Sequence, residues 1–374
     1  MLIFTMALTG AGSLWNGFVH DYNAFVAARG VTGAGIGADL AIANTYVGEL
    51  APRGGRAKWL SFIFIMSALG ATVGVWLGLI LTTPSAPFPH GFPDTLTPAN
   101  GWRIMYWVGA GLAAFGVLLR VELPESPRWL VSQRRLDEAE RITVQMEEKA
   151  SRRGHLPPPL APSQVRLPER RATYAEIAGD RTYRLRALLM ILVWSAAYVT
   201  VYSYAAGFVS VLTGLGLPPP EAGILVAVGV SGFIACAIAA FFLAERLERK
   251  HWLPLGAAIT IIGALIAGLA GKQSLTWAFL GVAIIFFGFN VWVPMTYAWS
   301  IELFPTRART SGYALGDGLG HGAGAVGVKY VVPLMVGIST VGALVIIASF
   351  LCFAALLAQF GVRTRNRPLD EISP

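Results

Sequence analysis

The sequence predicts an all-α polytopic membrane protein built from two pseudo-symmetric helical bundles. Of its 374 residues, 55% are apolar and only 13% are charged, whereas soluble globular proteins carry about 25% charged residues. Apolar runs of about 17–25 residues recur along the chain, and each is long enough to cross a bilayer. A charged motif near the beginning returns late in the chain, which indicates two copies of one structural unit.

The repeated motif joins an acid, a proline and several bases. It reads ELAPRGGR from Glu49 to Arg56 and ELFPTRAR from Glu302 to Arg309, an offset of 302 − 49 = 253 residues. A repeat of this length is half a molecule and not a solenoid unit of about 20–50 residues. Parallel halves of this kind build one large class of secondary transporters.

The apolar runs predict ten membrane spans. They lie near residues 1–19, 24–47, 59–82, 103–121, 187–210, 222–243, 253–270, 277–300, 312–336 and 340–361.

Basic residues fix the predicted orientation. With the loop between Glu49 and Lys58 in the cytoplasm, 25 of the 29 Lys and Arg residues fall in cytoplasmic segments or at their helix ends. This bias follows the positive-inside rule and predicts that both termini are cytoplasmic. It also explains the net charge of +8 without nucleic acid, since there is no basic, aromatic-rich soluble domain to bind it. We expect an integral protein of the bacterial inner (plasma) membrane. The four exceptions are Arg29, Arg103, Lys272 and Lys329.

The positions of charged residues and prolines between the apolar runs divide the chain into four parts. Residues 1–121 form the first bundle, and residues 187–361 form a second bundle of six helices. Between them, residues 122–186 contain a cytoplasmic helix that starts at Ser126, followed by a proline-rich basic linker. Serine caps helices, and the proline that follows it fits a first turn. Residues 362–374 form a cytoplasmic tail.

Small residues at four-residue spacing predict close helix packing in three spans, because helices in lipid associate by close backbone approach. No strand precedes these glycines, so a phosphate-binding loop is not indicated. The stripes are Gly33, Gly37 and Ala41, then Gly70, Gly74 and Gly78, and finally Gly312, Gly316, Gly320 and Gly324.

Three motifs resemble the major facilitator superfamily, specifically its sugar-porter and metabolite–proton symporter branches. The first runs from Val31-x-Gly33-x3-Gly37 to Tyr46-x2-Glu49-x6-Arg56, the second is PESPRWL at 124–130, and the third is ELFPTRAR at 302–309. The resemblance implies a monomeric twelve-helix transporter that moves a small organic solute with a proton by alternating access.

The substrate is less closely specified. Sugar porters usually carry paired glutamines in the seventh helix, where this chain reads WSAAYVTVYSYAAGF. The acid after the glycines, Asp39, is more similar to organic-acid and aromatic-acid relatives. An organic or aromatic acid is therefore favoured, with sugar–proton symport as the alternative. A transporter-like membrane sensor or an inactive truncated fragment is the alternative of another class.

An enzyme is not predicted. The five histidines have no metal-ligand spacing, and no nucleophile or nucleotide motif is present. We therefore expect no metal and no cofactor.

Ionisable side chains inside the bilayer are costly, so each is a candidate for the substrate and proton pathway. The resemblance implies that Arg29 is the partner of a proton-binding acid; a snorkelling interfacial arginine is the alternative. Asp39 lies deep in its span, where it either binds a proton or makes a structural hydrogen bond to a neighbouring backbone group. Asp317 and His321 are one turn apart and could share a proton, or form a local ion pair beside the glycine stripe.

Three further pathway candidates are polar or aromatic. Tyr198 and Tyr202 follow Trp194 at i+4 and i+8, so they could stack on a ring of the substrate, although packing is the alternative. Asn290 is a polar residue in the middle of its span.

The repeated motif predicts a cytoplasmic gate. Glu49 would pair with Arg309, and Glu302 with Arg56, when the inner mouth is shut. Solvated surface charges are the alternative.

The repeat also predicts that the chain lacks its beginning. An offset of 253 places Leu253, where the second bundle returns to the membrane, at position 0. We expect about 65–75 further upstream residues that encode two apolar spans.

Overall fold

The computed structural model describes residues 2–52, 55–82, 100–121, 123–152, 154, 173–205, 207–214, 217–271, 273–335 and 337–373. All regular secondary structure in these segments is helical, as the composition predicts.

Four long helices form the first bundle. The Asp21 carboxylate caps the second of them by accepting the Ala24 N–H at 2.8 Å. The first helix packs along both the second and the fourth. The helices are α1 (Leu2–Phe18), α2 (Tyr22–Leu50), α3 (Arg56–Thr82) and α4 (Gly101–Arg120).

Three short helices follow: α5 (Pro127–Ser132), α6 (Leu136–Ser151) and α7 (Thr173–Gly179). The Ser126 hydroxyl accepts the Trp129 N–H at 3.4 Å with proline in the first turn, which confirms the predicted helix start. Most of the predicted proline-rich linker lies outside the described residues.

The second bundle begins six residues earlier than predicted, at Arg181. A π-helical turn at Ile266–Ala270 extends one of its helices, and a short helix, α16 (Leu369–Ile372), lies in the tail. The bundle contains α8 (Arg181–Ala205), α9 (Phe208–Gly214), α10 (Pro219–Leu243), α11 (Trp252–Leu265), α12 (Leu275–Val291), α13 (Val293–Glu302), α14 (Arg309–Leu334) and α15 (Thr340–Ala358).

The predicted span 277–300 is not one continuous helix. It breaks at Trp292, between α12 and α13. Pro294 has no N–H to donate to the Asn290 carbonyl four residues earlier, so the regular pattern stops there. The Trp292 N–H bonds the Asn290 carbonyl instead.

Within the described segments, eight helices are long and apolar enough to cross a membrane. Two predicted spans fall outside this group: α1 has only 17 residues, and α14 is rich in glycine and carries Asp317, His321 and Lys329. These two stay predictions. The eight are Tyr22–Leu50, Arg56–Thr82, Gly101–Arg120, Arg181–Ala205, Glu221–Leu243, Arg249–Ala270, Thr340–Ala358, and Leu275–Glu302, which takes α12 and α13 together.

The glycine stripe of α14 packs against α8, as predicted. A Cβ added at Gly320 would lie 2.6 Å from the Trp194 Cβ, and one at Gly324 would lie 2.4 Å from the Tyr202 ring. Only residues without a Cβ permit this approach. The two helices share the most extensive contact between elements in the described parts of the chain.

The predicted stripes of the first bundle pack at one end only: Ala41 is buried, and a Cβ at Gly78 would lie 3.1 Å from the Met105 Cε of α4. A Cβ at Gly33, Gly37, Gly70 or Gly74 would meet no described atom within 4 Å. The close approach of α1 and α2 uses the adjacent face of α2, because a Cβ at Gly35 would lie 2.6 Å from the Thr9 backbone nitrogen. Spacing alone did not show which face carries the contact.

Candidate functional site

The structure joins the two copies of the repeated motif reciprocally. Arg309 Nη1 lies 3.1 Å from Glu49 Oε1, and Arg56 Nη1 lies 3.6 Å from Glu302 Oε1. All four side chains are at most 5% exposed, so they are not solvated surface charges. We call this end of the two bundles the gate end, because each pair joins one bundle to the other.

A second layer of charges supports these pairs. Arg249 Nε lies 3.5 Å from Glu302 Oε2, and Arg249 Nη1 lies 2.9 Å from Glu245 Oε2. The other oxygen of Glu245 accepts the Ala57 N–H at 3.0 Å, at the start of α3. A carboxylate there satisfies an N–H that the helix itself leaves unpaired. Glu245 and Arg249 therefore make a third connection between the bundles.

The segment before α5 also reaches the gate. The Ser126 hydroxyl donates to Glu49 Oε2 at 2.6 Å, and the Tyr46 hydroxyl donates to the Pro124 carbonyl at 2.8 Å. The helix start predicted from the sequence is therefore part of the network around Glu49.

The tail lies across the gate end. Arg186 donates to the carbonyls of Leu303 and Ile372, each at 2.9 Å, and the Ser373 hydroxyl donates to the Glu302 carbonyl at 2.9 Å. Glu248 Oε1 accepts the Thr364 N–H at 3.0 Å. The tail is thus attached to the same helix end that carries the gate acid.

Backbone contacts hold Glu248 in its charged form. Burial alone would raise the pKa of the Glu248 carboxyl. The N–H groups of Thr364, Arg365 and Arg249 outweigh that effect and hold the pKa below its usual value.

Asp317 and His321 lie together, as their spacing predicts. His321 Nε2 is 3.6 Å from Asp317 Oδ2. The Tyr198 hydroxyl donates to Asp317 Oδ1 at 2.7 Å, and the Tyr202 hydroxyl lies 2.6 Å from His321 Nδ1. The Asp317 side chain is 4% exposed and the His321 side chain 31%, so His321 lies between Asp317 and the accessible space.

The aromatic stripe of α8 is mostly packed. Trp194 and Tyr198 are buried, and Trp194 Nε1 donates to the Ser300 hydroxyl at 3.0 Å. Tyr202 alone of the three is partly exposed. In this conformation Tyr202 and His321 are therefore the members of the cluster that a solute can touch.

The remaining candidates lie apart from this cluster. Asp39 pairs with Arg120, its Oδ2 lying 3.1 Å from Nη2, and also accepts the Thr5 hydroxyl at 3.1 Å. Side chains of two neighbouring helices therefore hold Asp39, and not the neighbouring backbone group of the structural alternative. Asn290 is buried and donates to the Phe286 carbonyl of its own helix at 2.8 Å.

Arg29 is exposed, and its guanidinium lies 5.9 Å from the centre of the Tyr106 ring. Among the described residues, no acid lies within ion-pair distance of it. Its charge lies within electrostatic range of Tyr202 in the other bundle.

A surface pocket of about 440 Å³ lies at the other end of the first bundle, apart from the Asp317 cluster. Its charged groups already have partners: Arg103 donates to the Val19 carbonyl at 2.7 Å, and Asp21 caps α2. In the described part of the chain, no three His, Cys, Asp or Glu side chains are close enough to hold a metal ion. The pocket is lined by Val19, His20, Asp21, Tyr22, Phe25, Trp102, Arg103 and Tyr106.

Four residues of the site were not predicted from the sequence. Glu245 and Arg249 were not among the predicted site residues, although their i, i+4 spacing was a readable signal. Tyr313 and Asn44, whose side chains bond between the bundles at 3.0 Å, were not singled out. Tyr313 lies midway between Arg309 and Asp317, which was the available signal.

The family model described as "Sugar (and other) transporter" matches residues 1–374. The chain belongs to this family. Its fold is that of the major facilitator superfamily: it aligns with the proton:xylose symporter XylE of E. coli, bound to 6-bromo-6-deoxy-D-glucose, with a TM-score of 0.72 and 19% identity. That alignment covers 99% of this chain and 81% of XylE.

Three curated relatives are transport proteins. The putative metabolite transport protein YyaJ of Bacillus subtilis is 27% identical, over 96% of this chain and 76% of its own length. The putative polyol transporter 1 of Arabidopsis thaliana is 27% identical, over 99% and 77%. The niacin transporter NiaP of Acinetobacter baylyi is 24% identical, over 100% and 79%. The chain is thus a sugar or metabolite transporter of the membrane, and not an enzyme.

Proposed function

We propose that this transporter couples the uptake of a small organic metabolite, an organic or aromatic acid, to the entry of protons by alternating access. It acts as a monomer. The observation that carries the proposal is the buried Asp317, whose partner His321 is reachable from outside the protein. An acid within a membrane span is costly unless it is paired or functional, and histidine binds and releases protons at physiological pH.

Charge at the proposed site favours an acidic substrate. Arg29 has no acid within ion-pair distance in the described residues, and its charge acts on Tyr202 at range, so a substrate carboxylate would supply the missing negative charge. Tyr202 and His321 offer a ring surface and polar atoms for the rest of the molecule. The relative described as a niacin transporter supports an aromatic acid.

Sugar or polyol symport with protons is the second candidate. The polyol transporter relatives and the XylE alignment favour it, and the same hydroxyl and imidazole groups can bond substrate hydroxyls. Uptake of labelled organic acids, polyols and sugars by whole cells separates the two candidates.

Uptake should fall as external pH rises, because Asp317 and His321 must take up a proton for each transport cycle. The double variant Asp317→Asn with His321→Ala should lose accumulation driven by the proton gradient while retaining exchange of labelled for unlabelled substrate. Both activities are measured in proteoliposomes. Asp180→Asn, an exposed acid that caps the start of α8, is the control and should behave like the parent. Normal accumulation by the double variant would contradict the proposed role.

Both termini should be cytoplasmic, because the charge bias places the gate end inside the cell. A reporter enzyme fused after Pro98 should be active outside the membrane, and the same reporter after Pro159 should be active inside. Both positions lie outside the described residues. The reverse pattern would exclude this orientation.

A further inference from the structure

Four polar side chains follow one face of α14. Arg309, Tyr313, Asp317 and His321 are spaced by four residues each, so they lie one above another along the helix. The series begins at the gate pair with Glu49 and ends at the partly exposed His321. It therefore connects the gate to the proposed proton site.

Tyr313 is the member of this series that crosses between the bundles. Its hydroxyl accepts the Asn44 amide at 3.0 Å. Tyr313 is fully buried and Asn44 is 2% exposed. Water does not compete with this bond, so the state of the Tyr313 hydroxyl affects the contact between α2 and α14 directly.

Tyr313 also lies one turn before Asp317 on the same face of α14, where side chains four residues apart are neighbours. A phenol has one hydrogen to donate and oxygen lone pairs to accept. It can therefore accept from Asn44 and direct its own hydrogen towards the Asp317 carboxylate. The result is a series of linked hydrogen bonds, from the Asn44 amide through the Tyr313 hydroxyl to the Asp317 carboxylate.

Such a chain is strongest when its last acceptor is charged. Hydrogen bonds to a carboxylate are stronger than those between neutral groups, and linked bonds polarise one another. Protonation of Asp317 removes the anion and weakens the bond from Asn44. Arg309 and Asp317 are eight residues apart, about 12 Å along a helix, so Asp317 needs an intermediate group to influence the gate.

We propose that Tyr313 transmits the charge state of Asp317 to the contact between the bundles, so that the closed gate is more stable with Asp317 charged than with Asp317 protonated. This inference rests on the proposed proton coupling. Tyr313 is then a positioning residue, and Asn44 is the residue of the opposite bundle whose bond responds to it.

Other groups also face Asp317 and would share in this effect. The groups on neighbouring helices are Tyr198 and Tyr202 of α8 and Tyr297 of α13, and His321 lies on α14 itself. The Arg29 charge of α2 acts on Tyr202. Tyr313 differs from them by its bond to the opposite bundle.

The test uses a reporter cysteine at the closed contact. Ser61 is fully buried, and its oxygen lies 3.9 Å from the Met295 sulfur of the other bundle. Ser61→Cys is made in a chain whose own cysteines are replaced, Cys236→Ala and Cys352→Ala. Its labelling by an impermeant maleimide is measured at pH 7 in vesicles that expose the gate end. A constant pH removes the effect of pH on the maleimide reaction itself.

Asp317→Asn, which imitates the protonated acid, should raise the labelling rate at least about fivefold, the lower range of coupling between linked sites. Tyr313→Phe should raise it to a similar extent. The double variant should exceed the larger single effect by less than about twofold, because both changes break one chain. Asn44→Ala should raise the labelling rate as much as Tyr313→Phe does. Because it breaks the same bond from the other side, it shows that the effect is not a folding defect caused by changing Tyr313.

Tyr204→Phe is the control, because it removes a buried tyrosine hydroxyl that bonds the Leu344 carbonyl and lies outside the series. It should leave labelling unchanged. Effects of Tyr313→Phe and Asp317→Asn that multiply in the double variant would overturn the inference, as would an unchanged rate in Tyr313→Phe. If uptake is proton-driven but the effects multiply, only the inference fails. If the effects of the two substitutions on labelling do not multiply, but uptake does not depend on pH, the proposed function fails.

Discussion

Glu302→Gln should open the gate end of the transporter. Glu302 lies between Arg56 and Arg249, and all three side chains are at most 3% exposed. Removing its charge leaves two buried guanidinium groups without their shared anion, and breaking a buried ion pair costs about 3–5 kcal/mol. Labelling of the Ser61→Cys reporter should rise at least about tenfold, since about 1.4 kcal/mol already corresponds to a factor of ten.

Glu138→Gln is the matched control for this prediction. Glu138 pairs with Arg135 on an exposed surface, where the side chains are 41% and 46% accessible, and such pairs contribute little. Labelling should stay at the parent rate. A Glu302→Gln variant with the parent rate would show that the buried pairs do not hold the bundles together.

Gly320→Ala should destabilise the protein, because the added methyl group would lie 2.6 Å from the Trp194 Cβ and 3.0 Å from its backbone carbonyl carbon. Neither atom can turn away, so α8 and α14 must separate. Overpacking of this kind costs about 1–3 kcal/mol. The thermal midpoint of the purified protein should fall, and substrate uptake should fall with it.

Gly318→Ala places the same methyl group on the same helix, where it would meet no described atom within 4 Å. Alanine is also the better helix former. This variant should keep or slightly raise the midpoint. Equal losses from both substitutions would indicate a general intolerance of α14 and not close packing against Trp194.

The gate geometry could be predicted from the sequence because a repeat relates its parts. Two copies of one motif at equivalent helix ends leave one reciprocal pairing, Glu49 with Arg309 and Glu302 with Arg56, and the structure contains both contacts. The pairing of Asp317 with His321 was predictable for a similar reason, since residues four apart on a helix are neighbours.

Contacts between helices were harder to foresee. Asp39 and Arg120 are 81 residues apart and belong to no repeat, so their spacing carried no signal. The glycine stripes of α2 and α3 looked like that of α14, yet a Cβ at Gly33, Gly37, Gly70 or Gly74 would meet no described atom within 4 Å, whereas the α14 stripe packs along α8. Which face of an apolar helix is covered depends on its neighbours, and a nearly uniform apolar sequence does not identify them.

The contacts that close the gate join residues far apart in the order of synthesis. Glu49 and Arg309 are 260 positions apart, Asn44 and Tyr313 are 269 apart, and Arg56 reaches the Arg367 carbonyl across 311. The first bundle is therefore translated long before the partners of its charged residues exist. Until α13 and α14 have emerged from the ribosome, Glu49 can bond only Ser126 among its partners, and Arg56 lacks both Glu302 and the Arg367 carbonyl. In the proposed alternating-access cycle, the last contact formed by the newly made chain is thus the one that each transport cycle would repeat.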